Sequence, residues 1–189
     1  MPYLYSERLR FRAAERSDIP QFLKWINDPE VTENLMHHYP ISITEEESWY
    51  ESMIKNPTAE HVLVMEVKKA GEDQPDSDTW FPIGNIQFLD IHWRGLHTEI
   101  GIMIGEKDYW DQGYGTEAMR LMLEHGFGTL NLHRIWLQVY DKNIRGIRAY
   151  DKAGFIIEGR LREAHYQHGR YYDTIIMSVL RSEWEAHKR

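Results

Sequence analysis

The stretch that decides the fold reads Ile100-Gly101-Ile102-Met103-Ile104-Gly105 and then, three residues later, Tyr109-Trp110-Asp111-Gln112-Gly113-Tyr114-Gly115-Thr116-Glu117-Ala118. A β-branched apolar run enters a glycine-punctuated turn, and the turn opens a helix whose apolar positions continue as Ala118, Met119, Met122 and Leu123. Glycine lets the backbone approach a ligand closely. The first amides of a helix have no internal acceptor, and together they present about half a positive charge. Residues 112–116 therefore read as a phosphate cradle, or as a tight turn ahead of a core helix. A nucleoside triphosphate loop needs Lys after its last glycine, and Thr116-Glu117 follows Gly115, which excludes it. The spacing Gly113-x-Gly115-x-x-Ala118, with Asp141 as a ribose contact, fits a dinucleotide fingerprint locally. That fingerprint opens the first βαβ unit of its fold, and too little chain follows Asp141 to complete the sheet.

Working outward, Leu9 and Phe11 alternate with Arg8, Arg10 and Arg12, predicting a strand over 6–12. Ser17-Asp18-Ile19-Pro20 has the form of a helix start, carried on by Phe22, Leu23 and Ile26 and closed by Asn27-Asp28-Pro29. Thr44 and Glu47 have capping-box spacing, predicting a second helix from Thr44 to Ile54. Strands are expected over 61–67, 80–93 and 97–104, the last two joined at Arg94-Gly95. The polar segment 69–79 is expected to be a protruding loop. A helix over 116–127, a strand over 133–140 and a short helix from Asn143 to Lys152, ended by Gly154, come next. Residues 155–163 and 171–180 close the chain as an antiparallel pair around Gly169. The order β-α-α-β-β-β-α-β-α-β-β describes one mixed α+β domain over residues 1–189.

Composition narrows the chemistry. The chain carries 22 Lys and Arg against 30 Asp and Glu, a net charge of −8, which argues against a nucleic-acid partner and suits a cationic substrate. It has no cysteine, so disulfides, thiolate metal sites and a cysteine acyl-enzyme are excluded. The histidines His37-His38, His92 and His97, and His165 and His168 are scattered and form no His-Glu-x-x-His, so no metal is expected. No apolar run is long enough to span a bilayer, and Met1 to Arg8 has no apolar signal core. The expectation is a cytoplasmic protein with no membrane partner.

Three motifs then agree. Tyr109 to Ala118 resembles the acetyl-CoA loop of the GCN5-related N-acetyltransferases, particularly the RimJ/RimL-like ribosomal-protein acetyltransferase branch. Val139-Tyr140-Asp141-Lys142-Asn143 through Ala149-Tyr150-Asp151-Lys152-Ala153-Gly154-Phe155 matches a second family signature. The tail matches through Glu158-Gly159-Arg160-Leu161-Arg162-Glu163, Tyr166, Gly169, Asp173, Met177 and Glu183-Trp184. The resemblance runs from about Glu7 to Trp184 and is strongest from Glu99 onward. It implies the acyl-CoA N-acyltransferase fold: a mixed, mostly antiparallel sheet with a splayed strand pair and flanking helices. It also implies direct acetyl transfer from acetyl-CoA to an amine, whether a protein N-terminus, a polyamine or a small molecule.

Residue by residue, the resemblance places the cofactor arm along Ile102, Met103 and Ile104 and the diphosphate at Gln112, Gly113, Tyr114, Gly115 and Thr116. Asn143 matches the asparagine that contacts the arm; as a residue it is also a good helix N-cap. Tyr150 matches the tyrosine beside the cofactor sulfur and is the expected general acid, or else a half-buried aromatic. Glu99 is the expected base, or else a salt-bridged strand carboxylate. Asp108 and Tyr109 are secondary polar groups; Lys142, Arg145 or Arg148 would meet the ribose phosphate. Trp25, Met36, Tyr39 and Trp49 would shape the acceptor site, and Glu45, Glu46, Glu47 and Glu51 would line an acidic pocket for a polyamine. The family's loop begins with Gln or Arg where this chain has Trp110, so only the backbone half of the cradle carries over. Relatives often pair, which implies a homodimer. The rival reading is a non-catalytic module that binds CoA or a nucleotide, keeping Gly113, Gly115 and Asn143 without using Tyr150 and Glu99.

Overall fold

Residues 4–37, 39–69 and 79–187 are described by a computed structural model; the 69–79 segment expected to be a loop lies, over 70–78, outside them. Seven strands, β1 (Leu9–Ala13), β2 (Leu63–Lys69), β3 (Thr79–His92), β4 (His97–Ile104), β5 (Arg134–Tyr140), β6 (Ile156–Gln167) and β7 (Arg170–Leu180), form a mixed sheet in the order β1-β2-β3-β4-β5-β7-β6. The pairs β1–β2, β2–β3, β5–β7 and β6–β7 run antiparallel, and β4–β5 runs parallel. Parallel neighbours need a crossover, which the helix α4 (Tyr114–Glu124) supplies. Contacts divide the chain into two compact units, Met1–Gln87 with Ile102–Tyr114, and Phe88–Gly101 with Gly115–Arg189.

In the first unit, Leu9 and Phe11 of β1 are buried while Arg10 and Arg12 on the opposite face hold Glu66 at 2.6 and 2.8 Å. Helix α1 (Ile19–Ile26) buries Ile19, Phe22 and Trp25. Asp18 does not cap it as expected. Its carboxylate instead accepts both terminal nitrogens of Arg12 at 2.7 Å, and a charged bidentate pair is the stronger interaction. A short α2 (Pro29–Thr32) comes next, its first turn held by Asp28. Helix α3 (Ile43–Met53) starts earlier than the Thr44 expectation. Ser42 Oγ accepts the Glu45 amide at 3.3 Å and Glu45 accepts the Ser42 amide at 2.8 Å, so the capping box lies two residues upstream. Both pairs have the right spacing; Ser42 alone has the extended backbone of a cap.

In the second unit, Ile135, Leu137 and Val139 of β5 stand opposite Val179, Met177 and Ile175 of β7, all buried. Ala118, Met119, Met122 and Leu123 of α4 are buried as well. The helix gives way to a π turn at His125–Thr129, where an α-helix to Phe127 was expected; a Cβ on Gly126 would crowd Phe88 at 3.0 Å. Helix α5 (Ile144–Ala153) ends at Gly154 with φ +106°. The strands β6 and β7 join at His168 and Gly169, both at positive φ. A final helix, α6 (Arg181–His187), was not foreseen; its start is fixed where Glu183 accepts the Leu180 amide at 2.8 Å.

The β4–β5 ladder comprises His97–Arg134, Thr98–Ile135 and Glu99–Trp136. Both strands continue past it, β5 staying in full register with β7. The resemblance implied a splayed strand pair, and the β4–β5 ladder stops after three rungs.

Candidate active site

The glycine loop is held from both sides by its own residues. Tyr109 stacks on Phe81 with ring centroids 6.0 Å apart and meets Tyr114 edge-on at 5.8 Å. The Gln112 side-chain amide donates to the Asp108 carbonyl. Asp111 at φ +59° and Gly113 at φ +84° turn the chain into α4, and a side chain at position 113 would be strained. Residues 111–113 are exposed, and Tyr114, Gly115 and Thr116 half-buried. An exposed loop that ends in the N-terminus of an eleven-residue helix fits an anionic group such as a diphosphate. Arg8, 104 positions away in sequence, donates from Nη1 to the Gln112 carbonyl at 3.3 Å, its guanidinium 4.5 Å from the Tyr114 ring centroid.

Before the loop, Ile102, Met103 and Ile104 are half-buried on β4. Gly84 of β3 sits so close that a Cβ there would overlap the Met103 carbonyl oxygen. The Trp110 indole nitrogen donates to the Ile104 carbonyl at 2.9 Å. The residue that departs from the family's Gln or Arg thus braces the strand end, and the Ile104 carbonyl already accepts one hydrogen bond.

In the second unit, Thr116 Oγ1 donates to the Ala149 carbonyl at 3.2 Å, fixing the first turn of α4 to α5 one residue before Tyr150. Asn143 Oδ1 accepts the Gly146 amide at 2.9 Å, so Asn143 serves as the N-cap of α5. Burial pushes the Tyr150 hydroxyl up to about 12. Glu99 is half-buried; burial raises its pKa, a weak 3.4 Å hydrogen bond from Gln138 opposes this, and the charge of Asp90 adds to the rise. Thr116, Asn143 and Tyr150 therefore gather along α4 and α5, and Glu99 stands at the last rung of the β4–β5 ladder.

Other expected residues are placed differently. Trp25 is core: it fills the space a Gly105 side chain would need, and its indole donates to Glu106 at 2.9 Å. Trp49 packs edge-on against Phe22, and Met36 and Tyr39 are exposed. The four α3 glutamates do not act as a set. Glu45 is in the capping box, Glu51 pairs with Arg16, Glu47 is exposed and Glu46 is buried, its pKa raised by that burial. Lys142 donates to Gln167 and lies 4.9 Å from the Tyr172 ring centroid, turned toward the β6–β7 hairpin. Among the described residues, no three His, Asp or Glu side chains converge as a metal site, and no helix is long and apolar enough to cross a membrane. Sequence reasoning missed Arg8, whose contact with the loop no local pattern signals, and Glu106, which accepts from Gln21, Lys24 and Trp25.

Comparison with known proteins agrees with this geometry. A family model described as acetyltransferase (GNAT) domain matches residues 8–156. The uncharacterized N-acetyltransferase p20 of Bacillus licheniformis is 28% identical over 190 residues, covering 97% of this chain and 99% of the relative. The spermidine N(1)-acetyltransferase of Vibrio cholerae serotype O1 is 27% identical over 183 residues, covering 95% and 96%. A crystal structure of spermidine N-acetyltransferase from Vibrio cholerae in complex with CoA and spermine superposes with a TM-score of 0.82 at 26% identity, covering 95% of this chain and 99% of that one. With the fold, the loop and these matches in agreement, the chain belongs to the acetyltransferase (GNAT) domain family and is an N-acetyltransferase.

Proposed function

We propose that the chain moves the acetyl group of acetyl-CoA to a primary amine by direct attack within a ternary complex, residues 1–189 acting as one domain. The observation that carries this reading is the exposed loop at 111–113, turned by Gly113 at φ +84° into the N-terminus of α4. The amides of Gln112, Gly113, Tyr114, Gly115 and Thr116 hold the diphosphate, and the β4 backbone at Ile102, Met103 and Ile104 lies along the arm. Asn143 caps α5 through Oδ1 and, as the resemblance implies, contacts the cofactor arm from the same position.

Acetyl-CoA supplies an activated thioester, and the chain's residues handle the protons. Only a neutral amine attacks, and Glu99, its proton affinity raised by burial, takes the ammonium proton. The Met103 amide donates to the developing oxyanion. Tyr150, at about 12, stays protonated at neutral pH. A thiol ionises near 8.5, roughly three units lower, so Tyr150 steadies the leaving sulfur by hydrogen bonding instead of surrendering its proton.

For the acceptor we favour a polyamine. The spermidine acetyltransferases among the relatives and the net charge of −8 support it. The resemblance to the RimJ/RimL-like branch supports a peptide N-terminus instead, while the tail motif fits either acceptor. An amine panel of spermidine, an aminoglycoside and N-terminal peptides separates the two. Saturable heat on CoA titration, with release of free CoA and at least tenfold higher kcat/KM for spermidine, is expected. No binding of CoA overturns the reading; preference for a peptide overturns the acceptor. The exposed Ile156, Ile157 and Leu161 of the edge strand β6 support pairing with a second copy.

A further inference from the structure

The polar side chain that the resemblance expects at the head of the loop is absent from this chain. Trp110 stands where the resemblance calls for Gln or Arg, and its indole is spent on the Ile104 carbonyl at 2.9 Å. The same loop is met from outside by Arg8. Its Nη1 donates to the Gln112 carbonyl at 3.3 Å, its Nη2 lies 3.6 Å from where a Gly113 Cβ would be, and its guanidinium sits 4.5 Å from the Tyr114 ring centroid. One guanidinium thus touches Gln112 and Tyr114, the residues on either side of Gly113. The backbone of Arg8 is anchored by β1 and β2, since Leu9 and Phe11 are buried and the Lys68 amide donates to the Arg8 carbonyl at 3.4 Å. Arg10 and Arg12, on the same face of the strand, engage Glu66 and Asp18; Arg8 is the member of the series that reaches the loop.

We infer that Arg8 is a cofactor-binding residue that pairs with the diphosphate of CoA, supplying from the residue just before β1 a positive charge that the cradle's own residues lack. This rests on the assignment of residues 112–116 as the diphosphate site. A planar guanidinium matches phosphate geometry with a fork of five donors. The contact with the Gln112 carbonyl orients that fork, and the Tyr114 face steadies its plane. Glycine at position 113 leaves the space between guanidinium and backbone open.

The test is calorimetric titration of wild type and Arg8→Gln with CoA and with 3′-dephospho-CoA at several salt concentrations, alongside thermal melts. The expected result is binding at least tenfold weaker for both ligands in the variant, a shallower dependence of Kd on salt, and an unchanged melting temperature. Arg8→Lys should recover part of the affinity. Unchanged affinity in Arg8→Gln overturns the inference and leaves the loop assignment standing. A loss confined to CoA moves the cation to the 3′-phosphate and also overturns it. Weaker binding with an unaltered salt slope assigns Arg8 to shaping the loop, with the same consequence. If the wild type binds neither ligand, the loop assignment itself falls and takes the inference with it.

Discussion

At the scale of single residues, Glu99 must be ionised to act and Tyr150 must keep its proton to donate a hydrogen bond. Replacing Tyr150 by Phe removes one donor from the leaving sulfur. A fall in kcat of roughly 10²-fold is expected, with the Kd of CoA nearly unchanged by calorimetry; an equal kcat denies the role. Glu99 must be ionised to work, and burial raises its pKa. The rate therefore climbs with pH through a value above that of an ordinary glutamate, and Glu99→Gln loses this limb in a pH–rate profile. Stability runs the other way. With the folded pKa above the unfolded one, the contribution of Glu99 is fully present below the unfolded value and is lost as pH rises through the folded value. Melts of Glu99→Gln should gain on wild type over that window. Tyr150 and Glu99 could be put forward from the sequence because the family resemblance assigns a role to each position. Arg8 was not, since 104 positions separate it from Gln112 and only folding brings the residue ahead of β1 to the loop.

At the scale of elements, period and turn chemistry located the strands and helices, and the errors fell where two local signals competed. Ser42 with Glu45 and Thr44 with Glu47 have the same spacing, and the extended backbone at Ser42 decides between them. Ser42→Ala should cost about 1 kcal/mol in denaturant unfolding, whereas Thr44→Ala should cost much less. The π turn after α4 was invisible because it answers to packing around Gly126, not to helix propensity. The strand, helix and strand over 97–104, 116–127 and 133–140 were readable from their apolar periods; their parallel pairing was not. The three-rung extent of the ladder was not, because register is set by which backbone groups meet.

At the scale of the whole molecule, the acetyltransferase match over residues 8–156 takes in segments of both compact units, so function is expected to need both. A single cooperative transition, coincident by circular dichroism and by loss of CoA binding, is the corresponding expectation. The outer strand β6 leaves Ile156 and Ile157 more than half exposed, at 51% and 57%. Unpaired apolar edges invite strand pairing, and Ile157→Lys should shift a dimer to monomer in sedimentation while sparing the fold. Relative domain behaviour and self-association were the least legible features, since neither leaves a periodic trace in one chain.

The brace from Trp110 to the Ile104 carbonyl has a practical corollary. An indole fastened by its N–H to the strand end, two residues from Gln112, is a built-in optical reporter. Its emission, isolated by subtracting the spectrum of Trp110→Phe, tracks the occupancy of the loop in real time, so filling and emptying can be timed by stopped flow with no dye attached.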